Sequence, residues 1–438
     1  AIDLVIVSLY PFTEARARGA ELAELVEHID NGGPTMARAA AKNFAHVGVV
    51  VGPHQYSALA EELHERHGAL SGPTRRRLAA EAFAALAVYD GTIAATLGSL
   101  AGNRSESLPM VLAVGAPLAR SLRYGENPHQ EAAFYAAAGT GVTSPSSGPA
   151  PGAIGLAAAT VHQGKELSYT NLLDLDAALL AIEEFPDGGC VVIKHASPAG
   201  LAVAPTPLAA FRLARDGDPL SAFGGVIGCA SPIDGETAAE IARDFYEAVV
   251  APGYTAEALT AFAVRPALRV VEVGEEARRA AARERRLRSV LGGYLLQDPD
   301  PKPAGKELPG EVATRRAPTA AEQKALYFAF KVAKLARSNA IVLARNQHTV
   351  GIGAGQASRI DAVEVAAMKA ARAGHDLKGA VMASDAFFPF PDAVEVAGRL
   401  GVTAMVQPGG AKRDAETIAA ADRLGIAMVM AGERHFVH

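Results

Sequence analysis

Short runs in which every residue is apolar recur along this chain. Such a run cannot be a half-exposed strand, because extended residues alternate sides and both faces then need cover. Residues 2–9 approach this through Ile2, Leu4, Val5, Ile6, Val7 and Leu9, interrupted by Asp3 and Ser8, and 47–51, 190–193, 225–229, 340–343, 350–352 and 380–383 meet it. Helix-like stretches separate them: near 21–29, from Pro34, two more up to Leu97, near 208–215, 235–249, from the capping box at Thr319 and Glu322 through about Arg337, and 362–373. Strands alternating with helices predict an α/β chain whose short strands are covered on both sides.

Composition narrows the setting. A chain of 438 residues, half apolar and one-fifth charged, has material for about three domains and a sizeable core. A net charge of −5 gives the average surface no bias toward nucleic acid or anionic lipid, so any anion site has to be local. Cys190 and Cys229 make neither a disulfide framework nor a CxxC zinc pair, which points to a reducing cytosol. No uninterrupted apolar run approaches the roughly 18 residues of a bilayer span, and the first residues lack the pattern of a signal peptide. Because residue 2 already opens a strand, the chain reads as cut inside a domain, with the strand's neighbours expected upstream of residue 1. Residues 139–152 read as an exposed Pro/Gly/Ser loop and 298–309 as a traverse between subdomains, with a boundary near 300. No fixed period marks an internal duplication.

Several clusters carry possible chemistry. Lys194-His195 follows a β-branched run, which puts two titratable groups at the carboxyl end of a strand, where open α/β sheets keep ligand crevices. A neutral imidazole there suits a general base, and the ammonium suits a developing anion. Arg123-Tyr124-Gly125-Glu126-Asn127-Pro128-His129-Gln130 has the composition of an ordered loop gripping a polar ligand, Arg123 being suited to a phosphate. Ser384 to Asp392 sets Phe387, Phe388 and Phe390 among two prolines, a rigid apolar loop suited to a flat heterocycle. Gly351, Gly353 and Gly355 lack the spacing of a dinucleotide fingerprint and read instead as close backbone packing or a turn. Asp30 and two glycines precede a helix with Arg38 and Lys42 on one face, and Arg434 to His438 crowds cations and aromatics near the last residue.

Eight motifs then fall in one order: RYGENPHQ, QGKELSYTNLLDLDAA (163–178), KHASPAG, DPLSAFGGVI (218–227), RSNAIVLA (337–344), GIGAGQASRIDA (351–362), SDAFFPFPD and RHFVH. In these the chain closely resembles the bifunctional purine-biosynthesis family that joins AICAR formyltransferase to IMP cyclohydrolase. The resemblance implies a Rossmann-like (methylglyoxal-synthase-like) cyclohydrolase domain, here partial, over residues 1–115. Two cytidine-deaminase-like subdomains without zinc would follow, at 116–300 and 301–438. It implies formyl transfer from 10-formyltetrahydrofolate to the 5-amino group of AICAR, then closure to IMP. His195 would be the base and Lys194 the partner of the oxyanion. Asn339 and His438 would join them in the site; Arg123, Tyr124, Gly253, Phe387 and Arg434 would hold AICAR; Arg359, Ile360, Pro389, Phe390 and Asp392 would face the folate. Tyr10, Asp30 and Lys42 match the cyclohydrolase positions. Also implied are a cytoplasmic homodimer with shared sites, room for a monovalent cation, and no nucleic-acid or membrane partner. Ser8 stands where members commonly carry Asn, and Leu335 where they often carry His. Cyclisation is expected to be impaired, since phosphate-gripping loops would precede residue 1. A zinc nucleobase deaminase is excluded for want of HxE with PCxxC.

Overall fold

The computed structural model describes residues 2–101, 108–136, 153–300 and 307–438. The loop expected at 139–152 and half of the traverse at 298–309 lie outside the described residues. The chain divides into two compact units, residues 1–121 with 132–158, and 122–131 with 159–438.

In the first unit the strands Leu4–Ile6 and Gly48–Val50 pair in parallel. The helices Gly32–Lys42 and Gly72–Ala101 close over them, burying Ala37, Ala41, Val49, Val50, Leu78, Ala82 and Leu86 together. The first strand is shorter and barer than the sequence suggested: Ile2 is 70% and Ile6 54% exposed. The span expectation also needs correcting, since Gly72–Gly98 is long and apolar enough to cross a membrane by length and composition alone. Glu81 and Asp90 interrupt its apolar run, which hid it from a reading of unbroken runs. This helix sinks Leu78, Leu86 and Tyr89 into the unit's core, the ordinary position of a core helix.

The second unit is built on one twelve-stranded mixed sheet. Outward from its middle, one half runs Ser197–Val203, Gly189–Lys194, Val226–Cys229, Ala248–Ala251, Arg269–Glu272 and Thr160–Gln163. The other runs His348–Gly353, Ile341–Arg345, Val381–Ser384, Ala404–Gln407, Ala427–Met430 and Glu311–Val312. Strand directions match step for step: an antiparallel hairpin, an antiparallel third strand, two parallel strands and an antiparallel edge. Helices Tyr169–Glu184 and Ala320–Ala333 precede the two hairpins, and Pro207–Asp216 and Arg359–Arg372 follow them. The topology is therefore duplicated, although unequal loops leave no period in the sequence. Each half has its own core, one around Val192, Phe211, Ile227, Val249 and Phe262, the other around Ile341, Leu343, Val363, Met382, Phe388 and Met405.

The halves meet where His348 pairs with Ala202. Val203 N–H donates to Gln347 O at 2.9 Å, and Leu201 N–H donates to the Oγ1 of fully buried Thr349 at 3.0 Å. Ion pairs reinforce the joint, Lys369 with Asp218 at 3.1 Å and Lys334 with Glu184 at 3.2 Å. Residues 235–249, expected as one helix, divide into the helix Gly235–Ile241 and the strand Ala248–Ala251. The apolar run Ala248-Val249-Val250-Ala251 fits both patterns, and its β-branched pair and full burial go to the sheet.

Of the GIGAG glycines, Gly351 and Gly353 serve close packing, while Gly355 has a positive φ of 69° with open space around it and serves the turn. A Cβ on Gly353 would lie 2.0 Å from Ala362 O, and one on Gly351 would lie 2.4 Å from Ala366 O, both in the helix above. Gly200 stands in the equivalent strand of the other half, where a Cβ would lie 2.0 Å from Ala214 O. Gly353→Ala should therefore destabilise the chain by about 1–3 kcal/mol through overpacking, read as a lowered urea midpoint at unchanged m-value; an unaltered midpoint contradicts this packing.

Candidate functional site

The register of the large sheet puts Lys194, Ser197, Val226, Ile341, Gly353, Ser384, Gln407 and Met430 at the same end of the sheet. The loops leaving that end form one edge, and most of the transferase residues expected from the sequence stand on it.

Lys194 closes the strand Gly189–Lys194, and its Nζ donates to Phe223 O at 3.1 Å and Gly224 O at 2.9 Å. These carbonyls hold a half-buried ammonium without neutralising it. His195 is exposed, and with Ala196 it forms the two-residue turn into Ser197–Val203. Both turn residues have positive φ, 53° and 56°. Ala196 N–H donates to Asp174 Oδ1 at 2.6 Å. Burial raises the Asp174 carboxyl above its ordinary range, against the smaller lowering by the Ala196 N–H bond and by His195 and Lys194. Beside the ammonium the rings of Phe223 and Phe245 lie 5.5 Å apart, 62% and 47% exposed. Glu247 enters the same edge and is paired with Arg269 at 2.7 Å.

Asn339 lies at the head of the strand Ile341–Arg345, roughly 10 Å from the first strand of the other half at two strand spacings. Its side chain donates to Gln356 O at 2.8 Å. Asp385, fully buried, is the hub of this part: it pairs with Arg359 and Ser338 Oγ, accepts Ala340 N–H at 3.1 Å, and its carbonyl accepts His435 N–H at 3.1 Å. The last residues cross back over the edge, where Val437 O accepts Ser338 N–H at 2.9 Å and His438 O accepts from Arg288 at 2.9 Å. Arg434 is exposed and stacks on Phe436, 4.4 Å from the ring centre.

The aromatic loop divides its labour. Phe388 is fully buried in the core, leaving Phe387 and Phe390, 39% and 49% exposed, as the accessible rings, with Arg413 over Phe390 at 5.1 Å. Pro389 is half-buried, Ile360 packs on the core, and exposed Asp392 accepts its neighbour's N–H at 2.8 Å where the helix Asp392–Arg399 starts. Arg359, by contrast, is 8% exposed and committed to Asp385. Gly253 lies beyond the far end of Ala248–Ala251, at the opposite edge of the sheet from Lys194, whereas Gly224 touches Lys194 directly. Arg123 and Tyr124 pair with each other at 2.8 Å in a loop that Gln130 closes on Gly125 and Asn127.

In the first unit Asp30 Oδ1 accepts Gly33 N–H at 2.8 Å and so caps the helix Gly32–Lys42. Lys42 is at the other end of that helix, roughly 16 Å away along 11 residues. It borders a cavity of about 500 Å³ with Arg38, Phe44, Arg76 and Phe83. Tyr10 is 56% exposed. One chain does not bring Asp30 and Lys42 together. Sequence reasoning passed over Asp174, Phe223, Gly224 and Glu247, although the first three stood inside quoted motifs. Among the described residues no three His, Cys, Asp or Glu side chains converge as a metal site.

Comparison with known proteins identifies the family. Residues 40–369 match the model of the AICARFT/IMPCHase bienzyme family. The chain is 49% identical to the bifunctional purine biosynthesis protein PurH of Anaeromyxobacter dehalogenans (strain 2CP-C), over the whole chain and 82% of that protein. PurH of Myxococcus xanthus (strain DK1622) is 47% identical and that of Sorangium cellulosum (strain So ce56) 46%, with the same coverage. With a family model spanning three-quarters of its length and full-length relatives near half identity, the chain belongs to the AICARFT/IMPCHase bienzyme family.

Proposed function

We propose that this chain transfers a formyl group from 10-formyltetrahydrofolate to the 5-amino group of AICAR and carries Tyr10, Asp30 and Lys42 of the site that closes the product to IMP, the paired activities of its family. The observation that carries the transferase reading is the strand-end pair Lys194-His195, standing on the sheet edge that also holds Asn339, the 385–390 loop and the closing segment. The amine of an aminoimidazole carboxamide is delocalised into its ring and is a poor nucleophile. As its nitrogen attacks the formyl carbon, His195 takes the N–H proton while Lys194 faces the oxygen that gains charge. Collapse breaks the carbon–nitrogen bond to the folate, whose nitrogen leaves with a proton. Phe387 and Arg434 are assigned to AICAR, with Arg123 and Tyr124, and Pro389, Phe390, Ile360 and Asp392 to the folate. Arg359, being buried on Asp385, acts in this reading by holding the loop as much as by touching ligand. His438 and Asn339 complete the site, and Gly224 takes the place that the family resemblance assigned to Gly253.

The chain is read as a cyclohydrolase part over 1–115 followed by two deaminase-like, zinc-free halves at 116–300 and 301–438, working as a cytoplasmic homodimer. Support for the dimer comes from the helix Gly32–Lys42, which holds Asp30 and Lys42 too far apart for one substrate within one chain. Tyr10 and Asp30 of one copy then act with the lysine of the other.

His195→Ala should slow formyl transfer about 10²-fold or more with AICAR affinity little changed, and near-normal turnover would remove His195 from the reaction. In Lys194→Ala both turnover and affinity should fall; turnover lost at unchanged affinity would confine the ammonium to the transition state. For the cyclohydrolase, Asp30→Ala and Lys42→Ala should each abolish IMP formation, and mixing the two under exchange should restore up to about a quarter of it through mixed dimers. No recovery in demonstrably mixed dimers would place both residues in one chain's site.

A further inference from the structure

We infer that Asp174 is a positioning residue of the transferase site, its carboxylate holding the left-handed His195-Ala196 turn through the Ala196 N–H and so fixing where the imidazole points. The inference rests on the role given above to Lys194 and His195. It starts from the hairpin. Lys194 and Ser197 are the last paired residues, so His195 and Ala196 alone make the reversal, and both have positive φ. Two-residue turns of this kind favour Asn and Gly, because a Cβ crowds the backbone in the left-handed region. His tolerates that region better than most residues, but Ala196 has no side-chain group that relieves the crowding.

The duplicated half provides a control. There the matching turn, between Arg345 and His348, is Asn346-Gln347, and Asn346 takes the positive φ of 52°. Asn tolerates this conformation, so that hairpin uses a residue suited to the turn. The site hairpin has positive φ at both turn residues, the second an alanine, and an external acceptor on that alanine's N–H supplies what the residue type does not. Asp174 comes from a separate rigid element, the helix Tyr169–Glu184, seated by fully buried Leu175. Its Oδ1 accepts Ala196 N–H at 2.6 Å, a short charge-assisted bond. Lys194 is anchored independently by the Phe223 and Gly224 carbonyls, which leaves the His195-Ala196 turn as the part that depends on Asp174. The charged groups that act on the carboxylate are His195, Lys194 and Glu247, and Glu247 is engaged by Arg269.

Asp174→Ala and Asp174→Asn separate this role from a general structural one, since the Asn carboxamide oxygen still accepts the Ala196 N–H. With purified full-length chain, Asp174→Ala should lower kcat for formyl transfer about 10²-fold, with KM for AICAR and the unfolding midpoint little changed. Asp174→Asn should recover kcat to within about fivefold of the parent. Parent-like kcat in Asp174→Ala overturns the assignment, as does an Asp174→Asn variant as slow as Asp174→Ala. If the alanine variant fails to fold, a folded asparagine variant with lost turnover overturns it on its own. His195→Ala measured alongside keeps the two readings apart: an active His195→Ala defeats the site assignment itself, whereas an inactive one beside an active Asp174→Ala defeats only the role of Asp174.

Discussion

Everything on the candidate site's edge depends on two β-hairpins lying side by side in one sheet. Their contact is narrow, a single residue pairing of His348 with Ala202 supplemented by Val203 to Gln347 and Leu201 to Thr349. A hydroxyl takes the place of a ladder carbonyl at that seam, and its burial makes the bond hard to exchange for water. Because the hairpins run antiparallel across the seam, the turn of the first and the open ends of the second share an edge. That relation puts Lys194-His195 beside Asn339 and the 385–390 loop without a dedicated domain.

The edge is electrostatically divided. Around Asn339 the charges are internally settled, with Asp385 buried on Arg359 and hydrogen-bonded to the backbone on either side. At Lys194 the ammonium donates to two backbone carbonyls, and the carboxylates of Asp174 and Glu247 on the same edge are engaged by a backbone N–H and by an arginine. A cation so placed keeps its charge for an incoming anion or developing oxyanion. The first cluster supplies shape, the second reactivity.

Much of this was legible in the sequence because local chemistry announces itself. A β-branched run broken by Lys-His is a strand end, a TxxE box opens a helix, and the first two GIGAG glycines lie where a helix backbone meets a strand. What stayed hidden depends on tertiary contact. Asp174 lies twenty-one residues before His195 on another element, and nothing in its neighbours says which N–H it meets. Phe388 and Phe387 are adjacent and identical, yet one fills the core while the other faces out, a distinction made by register. The duplication escaped notice since Lys194-His195 and Arg345-Asn346 share a turn but no residue type. The first strand was overread because an apolar run reports what a strand can bury, not what is there to cover it.

The most direct test is a crystal structure of the chain with AICAR bound. The account expects the 5-amino nitrogen within about 3 Å of a His195 ring nitrogen, on the edge carrying Lys194 and Gly224, with Arg434 or Arg123 of either copy toward the phosphate. A ribotide seated at the opposite edge, beside Gly253, with His195 facing only solvent, would contradict it.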